Sequence, residues 1–174
     1  MAIAFLTISV AAFGQELGCK HAHGLTQSTE LRDASDNTRS DTINVLKYTV
    51  NLDITDFSGQ TIAGNTVVRF TPKMNGINTL SLDLLTMTID SVTAGVPLSF
   101  SYNDTLLITN LPATMNIGDT LDLTVYYNGS PAQDPSGIGG WYWDADHSYN
   151  LGVGLTALPH NYGRVWHPCF DHFV

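Results

Sequence analysis

The chain has 174 residues and 43% hydrophobic content, which is enough for one domain-sized core and hardly for two. Only 13% of the residues are charged, and Thr, Ser, Asn, Val, Ile and Leu dominate the rest, a composition of short strands and turns. The formal net charge is -9, from 16 acidic residues against 7 Lys and Arg, and no basic cluster interrupts it. These features disfavour an all-α fold and argue against nucleic acid as a partner.

The first residues predict export. Residues 2–13 form a short apolar run that leads to Ala12-Phe13-Gly14, with small residues where a signal peptidase cleaves. We therefore predict a signal peptide over residues 1–14 and a periplasmic, cell-surface or secreted location. The run is too short to span a bilayer, so no transmembrane segment is expected. Because no Lys or Arg precedes it, a misplaced start codon or a buried N-terminal strand stays open as an alternative.

The two cysteines lie near opposite ends of the exported chain. Export permits a disulfide between Cys19 and Cys169, but no spacing pattern implies one. Lipidation of Cys19 is disfavoured because Glu16 occupies a position where that processing needs an aliphatic residue. Cys169, which lies between Pro168 and Phe170, is predicted to be a small buried hydrophobic residue.

Residues 15–40 are rich in Gln, Ser, Thr, Asp and Asn and have no sustained apolar period, which predicts a linker or loosely ordered arm. From Asp41 onward, apolar residues alternate with polar ones, as in a half-buried strand, although Leu46 interrupts the alternation. Turn signals at residues 56–59 and 63–65 predict that a second strand occupies Thr66 to Thr71. The alternating residues of the first strand are Val45, Tyr48, Val50, Leu52 and Ile54.

The same pattern repeats along the chain without an internal sequence repeat. Each segment is bounded by Gly, Pro, Asn or Asp, and no window has a helical period long enough to compete. We therefore predict an all-β fold, an antiparallel curved β-sandwich over residues 41–174 with minimal helix content. The further predicted strands cover residues 78–84, 87–94, 98–102, 106–109 and 121–127.

An aromatic triplet, Trp141-Tyr142-Trp143, follows a loop rich in Gly and Pro over residues 129–140. Packing in the core or between sheets is the favoured interpretation, because single aromatic side chains bury large areas. Exposed Trp and Tyr also form the stacking platforms of carbohydrate-binding modules. The triplet therefore motivates an alternative function, a freestanding extracellular β-sandwich that binds carbohydrate or protein.

No constellation of residues predicts a reaction centre. A catalytic zinc needs about three protein ligands, yet no two of the six histidines are four residues apart and no His-Glu-x-x-His motif occurs. The one cluster of possible ligands is at His167, Cys169, Asp171 and His172, where adjacent Pro and Phe favour core packing over metal binding. Nucleophile elbows are absent, and the carboxylates at residues 144 and 146 are expected to be solvated in a loop. The sequence predicts no catalytic residue and no metal ligand in this chain.

The last stretch of the chain carries a family resemblance. Residues 163–171, Gly-Arg-Val-Trp-His-Pro-Cys-Phe-Asp, resemble the Arg-x-x-Phe-Pro-Cys-x-Asp motif of the aminopeptidase N family of zinc aminopeptidases, which includes the leukotriene hydrolase branch. The match falls on Arg164, Pro168, Cys169 and Asp171, whereas His167 stands where the family has Phe. We expect these matching residues to have structural roles.

Other segments resemble the same family in the same order. Gly140-Trp141-Tyr142 is similar to its Gly-Phe-Tyr segment, and Leu82-Asp83-Leu84 to its Leu-Asp strand end. Residues 117–119 with 126–129 resemble its Gly-Asp to Tyr-x-Gly hairpin, and residues 41–48 its opening strand. The likeness therefore runs from Asp41 to Val174.

The resemblance implies a noncatalytic N-terminal domain of a zinc metallo-aminopeptidase that acts on peptides. In that family the domain packs on a downstream thermolysin-like zinc domain and helps to close its substrate cleft. The family's Gly-x-Met-Glu-Asn strand and zinc helix do not occur in these residues, so zinc and catalysis would belong to the missing domain. Pro159 stands where several members place a cleft-facing Gln, and His172-Phe173 where many have Glu-Pro. A purely structural surface sandwich is the third hypothesis, beside the binding module.

Overall fold

The computed structural model describes residues 39–171, which contain nine β-strands, one helical turn and one 3-10 turn. The helical turn α1 covers Arg39–Thr42 and the 3-10 turn covers Gly163–Val165. The strands are β1 (Ile43–Asp56), β2 (Thr61–Pro72), β3 (Ile77–Asp83), β4 (Thr88–Thr93), β5 (Phe100–Tyr102), β6 (Leu106–Met115), β7 (Leu121–Gly129), β8 (Gly139–Trp143) and β9 (Ser148–Gly154).

The strands form two sheets and a hairpin, and every pairing is antiparallel. The larger sheet has the order β1-β2-β7-β4, the smaller sheet has the order β3-β6-β5, and β8 pairs with β9. The predicted all-β antiparallel architecture is confirmed. The predicted chain order of the first seven strands is also present.

One apolar core lies between the two sheets. Because side chains alternate between the faces of a strand, each central strand buries every second residue: β2 buries Val68 and Phe70, and β3 buries Leu80 and Leu82. Each of these four side chains is at most 1% exposed. The other residues of this core that are fully enclosed include Ile62, Leu84, Val92, Leu107, Leu123, Val125 and Tyr127.

The irregularity at Leu46 is a β-bulge. The register of β1 on β2 passes from Val45 opposite Phe70 to Lys47 opposite Arg69, so Leu46 has no partner residue and is 50% exposed. The extra residue restores the inward alternation for the rest of the strand. The inward position predicted for Ile54 is wrong, because a second irregularity after Asp53 leaves Ile54 37% exposed.

The predicted turn at residues 63–65 is also wrong. These residues lie within β2, where Gly64 is opposite Leu52 of β1 and Tyr127 of β7. A Cβ on Gly64 would lie 2.2 Å from the carbonyl oxygen of Asn51. The glycine therefore permits close approach of two strands and does not mark a turn.

The hairpin of β8 and β9 was not predicted as strands. Positive φ values at Gly139, Gly140 and Gly152 break the regular alternation in this region, so no period of two was visible. The predicted signal peptide, most of the arm at residues 15–40, Cys19 and His172 lie outside the described residues. Within residues 39–171, no helix is long and apolar enough to cross a membrane.

Candidate functional site

Arg164 lies in the 3-10 turn and joins three parts of the C-terminal segment. Its Nη1 atom donates to Oδ2 of Asp171 at 3.1 Å and to the carbonyl oxygen of Asn161 at 2.9 Å. Its Nη2 atom donates to the carbonyl oxygen of Pro159 at 3.4 Å. Arg164 and Asp171 therefore form a buried pair, whose side chains are only 10% and 8% exposed. The guanidinium fixes the backbone of the segment that precedes it.

Asp171 is held on the end of strand β3. Its backbone N–H donates to Oδ2 of Asp83 at 3.1 Å, and Asp83 and Cys169 exchange two backbone hydrogen bonds of 2.7 and 3.0 Å. Cys169 is 5% exposed, as predicted for a small core residue. The structure thus brings together the Leu-Asp strand end and the C-terminal motif, which are more than eighty residues apart in the sequence.

His167 packs among aromatic rings at the same place. The ring centroid of Trp166 is 4.3 Å away and that of Tyr48 is 5.7 Å away, both edge-on. Nδ1 lies 3.2 Å from the carbonyl oxygen of Pro168, and since a carbonyl only accepts, Nδ1 carries the proton. Burial lowers the pKa of His167 and raises the pKa of the Tyr48 hydroxyl, whose oxygen accepts the N–H of Phe170 at 2.9 Å.

A hypothetical Cβ on Gly163 would lie 3.6 Å from each of His167 Nε2, Cys169 Sγ and Asp171 Oδ1. The three side chains of the sequence cluster therefore do surround one glycine. They do not belong to a strand, since residues 167–171 are irregular apart from an isolated bridge between Cys169 and Asp83. Among residues 39–171, no three His, Cys, Asp or Glu side chains are arranged to hold a metal ion.

Asp134 is a buried carboxylate that the sequence reasoning missed. It is 2% exposed and accepts hydrogen bonds from the N–H and hydroxyl groups of both Ser136 and Thr156. Burial alone would raise its pKa, but the four donors outweigh that effect and hold the pKa well below its usual range. Asp134 thereby ties the loop before β8 to the segment after β9. The Asp-x-Ser spacing of residues 134 and 136 was the available signal.

The aromatic triplet belongs mainly to the interior. Trp141 is 6% exposed and is part of the core, and its ring lies 5.9 Å from that of Trp143 and 6.1 Å from that of Trp166. Trp143 packs edge-on against Phe57 at 5.2 Å. The core interpretation is confirmed for both tryptophans, and neither forms an open platform for a sugar ring.

Gly140, of the Gly-Trp-Tyr segment, has φ of +80°, and a Cβ there would lie 2.4 Å from the carbonyl oxygen of Ala132. The glycine is needed because the chain before β8 passes directly over it. The hydroxyl of Tyr142 accepts the N–H of Gly139 and donates to the carbonyl of Gly137, both at 2.9 Å. The segment therefore fixes the start of the hairpin.

An apolar surface begins on the outer side of β9 and continues into the segment that Arg164 holds. Five large apolar side chains are exposed there by 46% to 78%. We call this set the β9 surface; its members are Tyr149, Leu151, Val153, Leu155 and Leu158. Exposed apolar groups in such number are typical of a surface that another protein part covers.

The two carboxylates at the hairpin tip are exposed, as predicted, and flank His147, with Asp146 at 2.8 Å and Asp144 at 3.4 Å.

Comparison with solved structures finds zinc metallopeptidases. The M1 zinc metallopeptidase of Deinococcus radiodurans has a TM-score of 0.64 and 22% identity, and a mutant of it bound to a Tyr-Ser-Ala substrate has 0.63 and 24%. Native yeast LTA4 hydrolase has a TM-score of 0.54 and 17% identity, over 76% of this chain and 21% of that one. No protein-family model matches the sequence, and no curated protein matches it.

The chain spans 30% of the length of the Deinococcus enzyme, and 75% of this chain takes part in the match. At these identities the likeness is one of fold. Residues 39–171 therefore have the fold of a β-domain that M1 zinc metallopeptidases contain.

Proposed function

We propose that this chain is the noncatalytic N-terminal domain of an exported zinc aminopeptidase that removes N-terminal residues from peptides. The domain packs on a thermolysin-like zinc domain and forms one wall of the substrate cleft. Zinc and the general base belong to that second domain, because catalysis needs ligands, a base and an electrophile that converge on one point.

Two kinds of similarity support the proposal. The fold is that of M1 zinc metallopeptidases, of which one solved form holds a Tyr-Ser-Ala substrate and another holds L-arginine. The second is the sequence motif of Arg164, Pro168, Cys169 and Asp171, in which the Arg164 and Asp171 side chains are 3.1 Å apart.

The β9 surface is the observation that carries the proposal. Leu155 and Leu158 are 60% and 78% exposed, yet the backbone around them is fixed by two buried groups, Arg164 and Asp134. A rigid backbone that presents apolar side chains is suited to docking, since little entropy is lost on binding. The same surface would be a liability in a domain that has no partner.

The test compares aspartate substitutions in two contexts. In the chain alone, Leu155→Asp and Leu158→Asp should leave the urea midpoint unchanged, because both side chains are already exposed. In a protein that joins this domain to the proposed zinc domain, both should weaken attachment of this domain and raise KM for aminoacyl reporter substrates. Ile117→Asp is the control, since Ile117 is 65% exposed in the turn between β6 and β7, outside the β9 surface.

Two results would contradict the proposal. One is a natural reading frame that encodes no zinc peptidase domain. Such a domain would be recognised by its Gly-x-Met-Glu-Asn and His-Glu-x-x-His motifs. The other is a full-length enzyme in which the Leu155 and Leu158 variants behave like the Ile117 variant. Binding on a glycan array that is lost in Trp143→Ala would support the binding module instead.

A further inference from the structure

Four buried polar atoms of the β8–β9 hairpin lack a hydrogen-bond partner among residues 39–171. They are Nε1 of Trp141, Nε1 of Trp143, Oγ of Ser148 and Nδ2 of Asn150. Buried polar groups in native proteins are nearly always bonded, because burial without a partner forfeits the hydrogen bonds made to water. A group of four within one hairpin therefore calls for a specific explanation.

The register places the four residues together. Trp141 is directly opposite Asn150, and Trp143 is directly opposite Ser148. Side chains two residues apart, and those of directly opposed residues, share one face of an antiparallel pair. This inner face of the hairpin packs on the core through Trp141 and against Phe57 through Trp143.

The opposite face of the hairpin is more exposed to solvent than the inner face. It carries Tyr142 and Tyr149, whose rings stack at 5.1 Å, and Tyr149 is 46% exposed. Polar groups on that face can reach bulk solvent. The four atoms of the inner face cannot, since each is almost completely covered by protein.

The chemistry of the inner face is that of donors. An indole N–H only donates, an amide nitrogen donates twice, and the hydroxyl of Ser148 is the one group that can also accept. The amide oxygen of Asn150 is already occupied by the N–H of Gly152. A molecule that satisfies this face must therefore accept from several N–H groups, and it can either accept from or donate to the hydroxyl of Ser148.

We propose that the inner face of the β8–β9 hairpin is an internal water site, in which one or more bound water molecules join the two indoles to Ser148 and Asn150. Water accepts two hydrogen bonds and donates two, which fits three donor-only atoms and one hydroxyl. A halide would accept from the same donors, but the hairpin contains no Lys or Arg and has Asp144 and Asp146 at its tip. A metal cation is disfavoured by a lining of N–H groups.

The two indoles provide the probe. In the intact 174-residue chain, the indole N–H protons of the three tryptophans are assigned by Trp→Phe substitution one at a time. A rotating-frame NMR experiment then detects their contact with water. The indole protons of Trp141 and Trp143 should give cross-peaks at the water frequency with the sign of direct contact, opposite to that of chemical exchange. Trp166 is the internal reference, because its indole nitrogen is not one of the four buried atoms without a hydrogen-bond partner.

Removing one group of the site should change one signal. Ser148→Ala should weaken the water contact of Trp143, which lies opposite, more than that of Trp141. Ser101→Ala on the exposed side of β5 is the matched control and should change neither signal. Because Ser148 is small, this variant is expected to fold, and dispersed methyl signals would verify it.

Three results would overturn the proposal. The first is a folded wild-type chain without water contacts at either indole. The second is a crystal structure of the chain in which both indole N–H groups meet protein acceptors or the ring face of Phe57. The third is an anomalous bromide signal at this position after a bromide soak, which would identify a halide site. Density for water within hydrogen-bond distance of both indoles would support the proposal.

Discussion

Two arginine–carboxylate pairs in this domain differ mainly in burial. Arg69 and Asp122 form two hydrogen bonds of 2.7 and 2.6 Å across β2 and β7, with side chains 53% and 46% exposed. Arg164 and Asp171 are joined at 3.1 Å with side chains 10% and 8% exposed. Geometry alone would rank the exposed pair first. Removing one partner should nevertheless destabilise the domain more at the buried pair. A buried carboxylate that loses its arginine cannot be stabilised by water instead.

We therefore predict that Arg164→Ala lowers the free energy of unfolding by about 3 kcal/mol or more, as is typical of a broken buried pair. Arg69→Ala should cost clearly less, because both side chains of that pair are about half exposed and solvent screens their interaction. Urea unfolding of both variants, followed by tryptophan fluorescence, measures the difference. A full-length enzyme in which Arg164→Ala keeps its thermal stability but loses turnover would contradict the structural role of Arg164.

A second prediction concerns His167. Its pKa in the folded chain is lowered by burial, whereas the pKa of an unfolded histidine is about 6.5. As pH falls through that value, the unfolded chain binds a proton that the folded chain resists, so stability is full above it and decreases below it.

The melting temperature should therefore fall between pH 7.5 and pH 5.5, values chosen to lie on either side of about 6.5. His167→Phe, which restores the residue of the resembling family, should reduce this decrease. His147→Phe is the control, because His147 is 58% exposed at the hairpin tip. An equal decrease in both variants and the wild type would show that His167 does not contribute.

At the scale of elements, the β8–β9 hairpin depends on a close backbone crossing. Gly140 and Gly137 both have positive φ, +80° and +76°. A Cβ on Gly140 would lie 2.4 Å from the Ala132 carbonyl oxygen, whereas a Cβ on Gly137 would meet no atom within 4 Å. The two glycines therefore separate backbone strain from steric overlap within one loop.

Gly137→Ala should destabilise the chain by about 1 to 2 kcal/mol, the cost of a positive φ at alanine. Gly140→Ala should cost clearly more, because the added methyl group also overlaps a carbonyl that cannot move without shifting β8. Chemical denaturation monitored by near-UV circular dichroism, to which Trp141 and Trp143 contribute, compares the two. Equal destabilisation would show that the crossing adjusts easily.

At the scale of the whole molecule, zinc binding and peptidase activity are expected to require a second domain. We predict that the 174-residue chain binds zinc no tighter than micromolar and releases no amino acid from aminoacyl reporter substrates. The described residues contain no group of three His, Cys, Asp or Glu that could hold a metal, and hydrolysis needs such a group with a base beside it. Joining the proposed zinc domain to this chain should create activity that chelators remove.

Calorimetry with zinc and reporter hydrolysis with and without chelator measure this prediction. A matched variant, His167→Ala, tests the one cluster that contains possible ligands. Stoichiometric zinc in the purified chain, together with chelator-sensitive turnover that His167→Ala abolishes, would contradict the proposal that zinc and catalysis belong to the second domain.

The sequence by itself determined the fold class and the approximate positions of the first seven strands. These follow from local pattern: alternation of period two records which side of a strand is buried, and Leu46 even records the bulge as a break in that period. The Arg164 motif was found through its resemblance to a family motif, and the partners of Arg164 lie within a few residues of it in the sequence. Short-range regularities of this kind are present in the order of residues alone.

Only the tertiary structure decided the surroundings of residues whose role the local sequence pattern does not show. Gly64 has the local signature of a turn, but the approach of β1 places it in the middle of a strand. Asp134 resembles any loop aspartate until Thr156, 22 residues later, encloses it. The side of the hairpin on which Trp141 and Trp143 lie was likewise set by packing against the core. Such properties depend on contacts between distant segments, and burial is a property of those contacts and not of the local sequence.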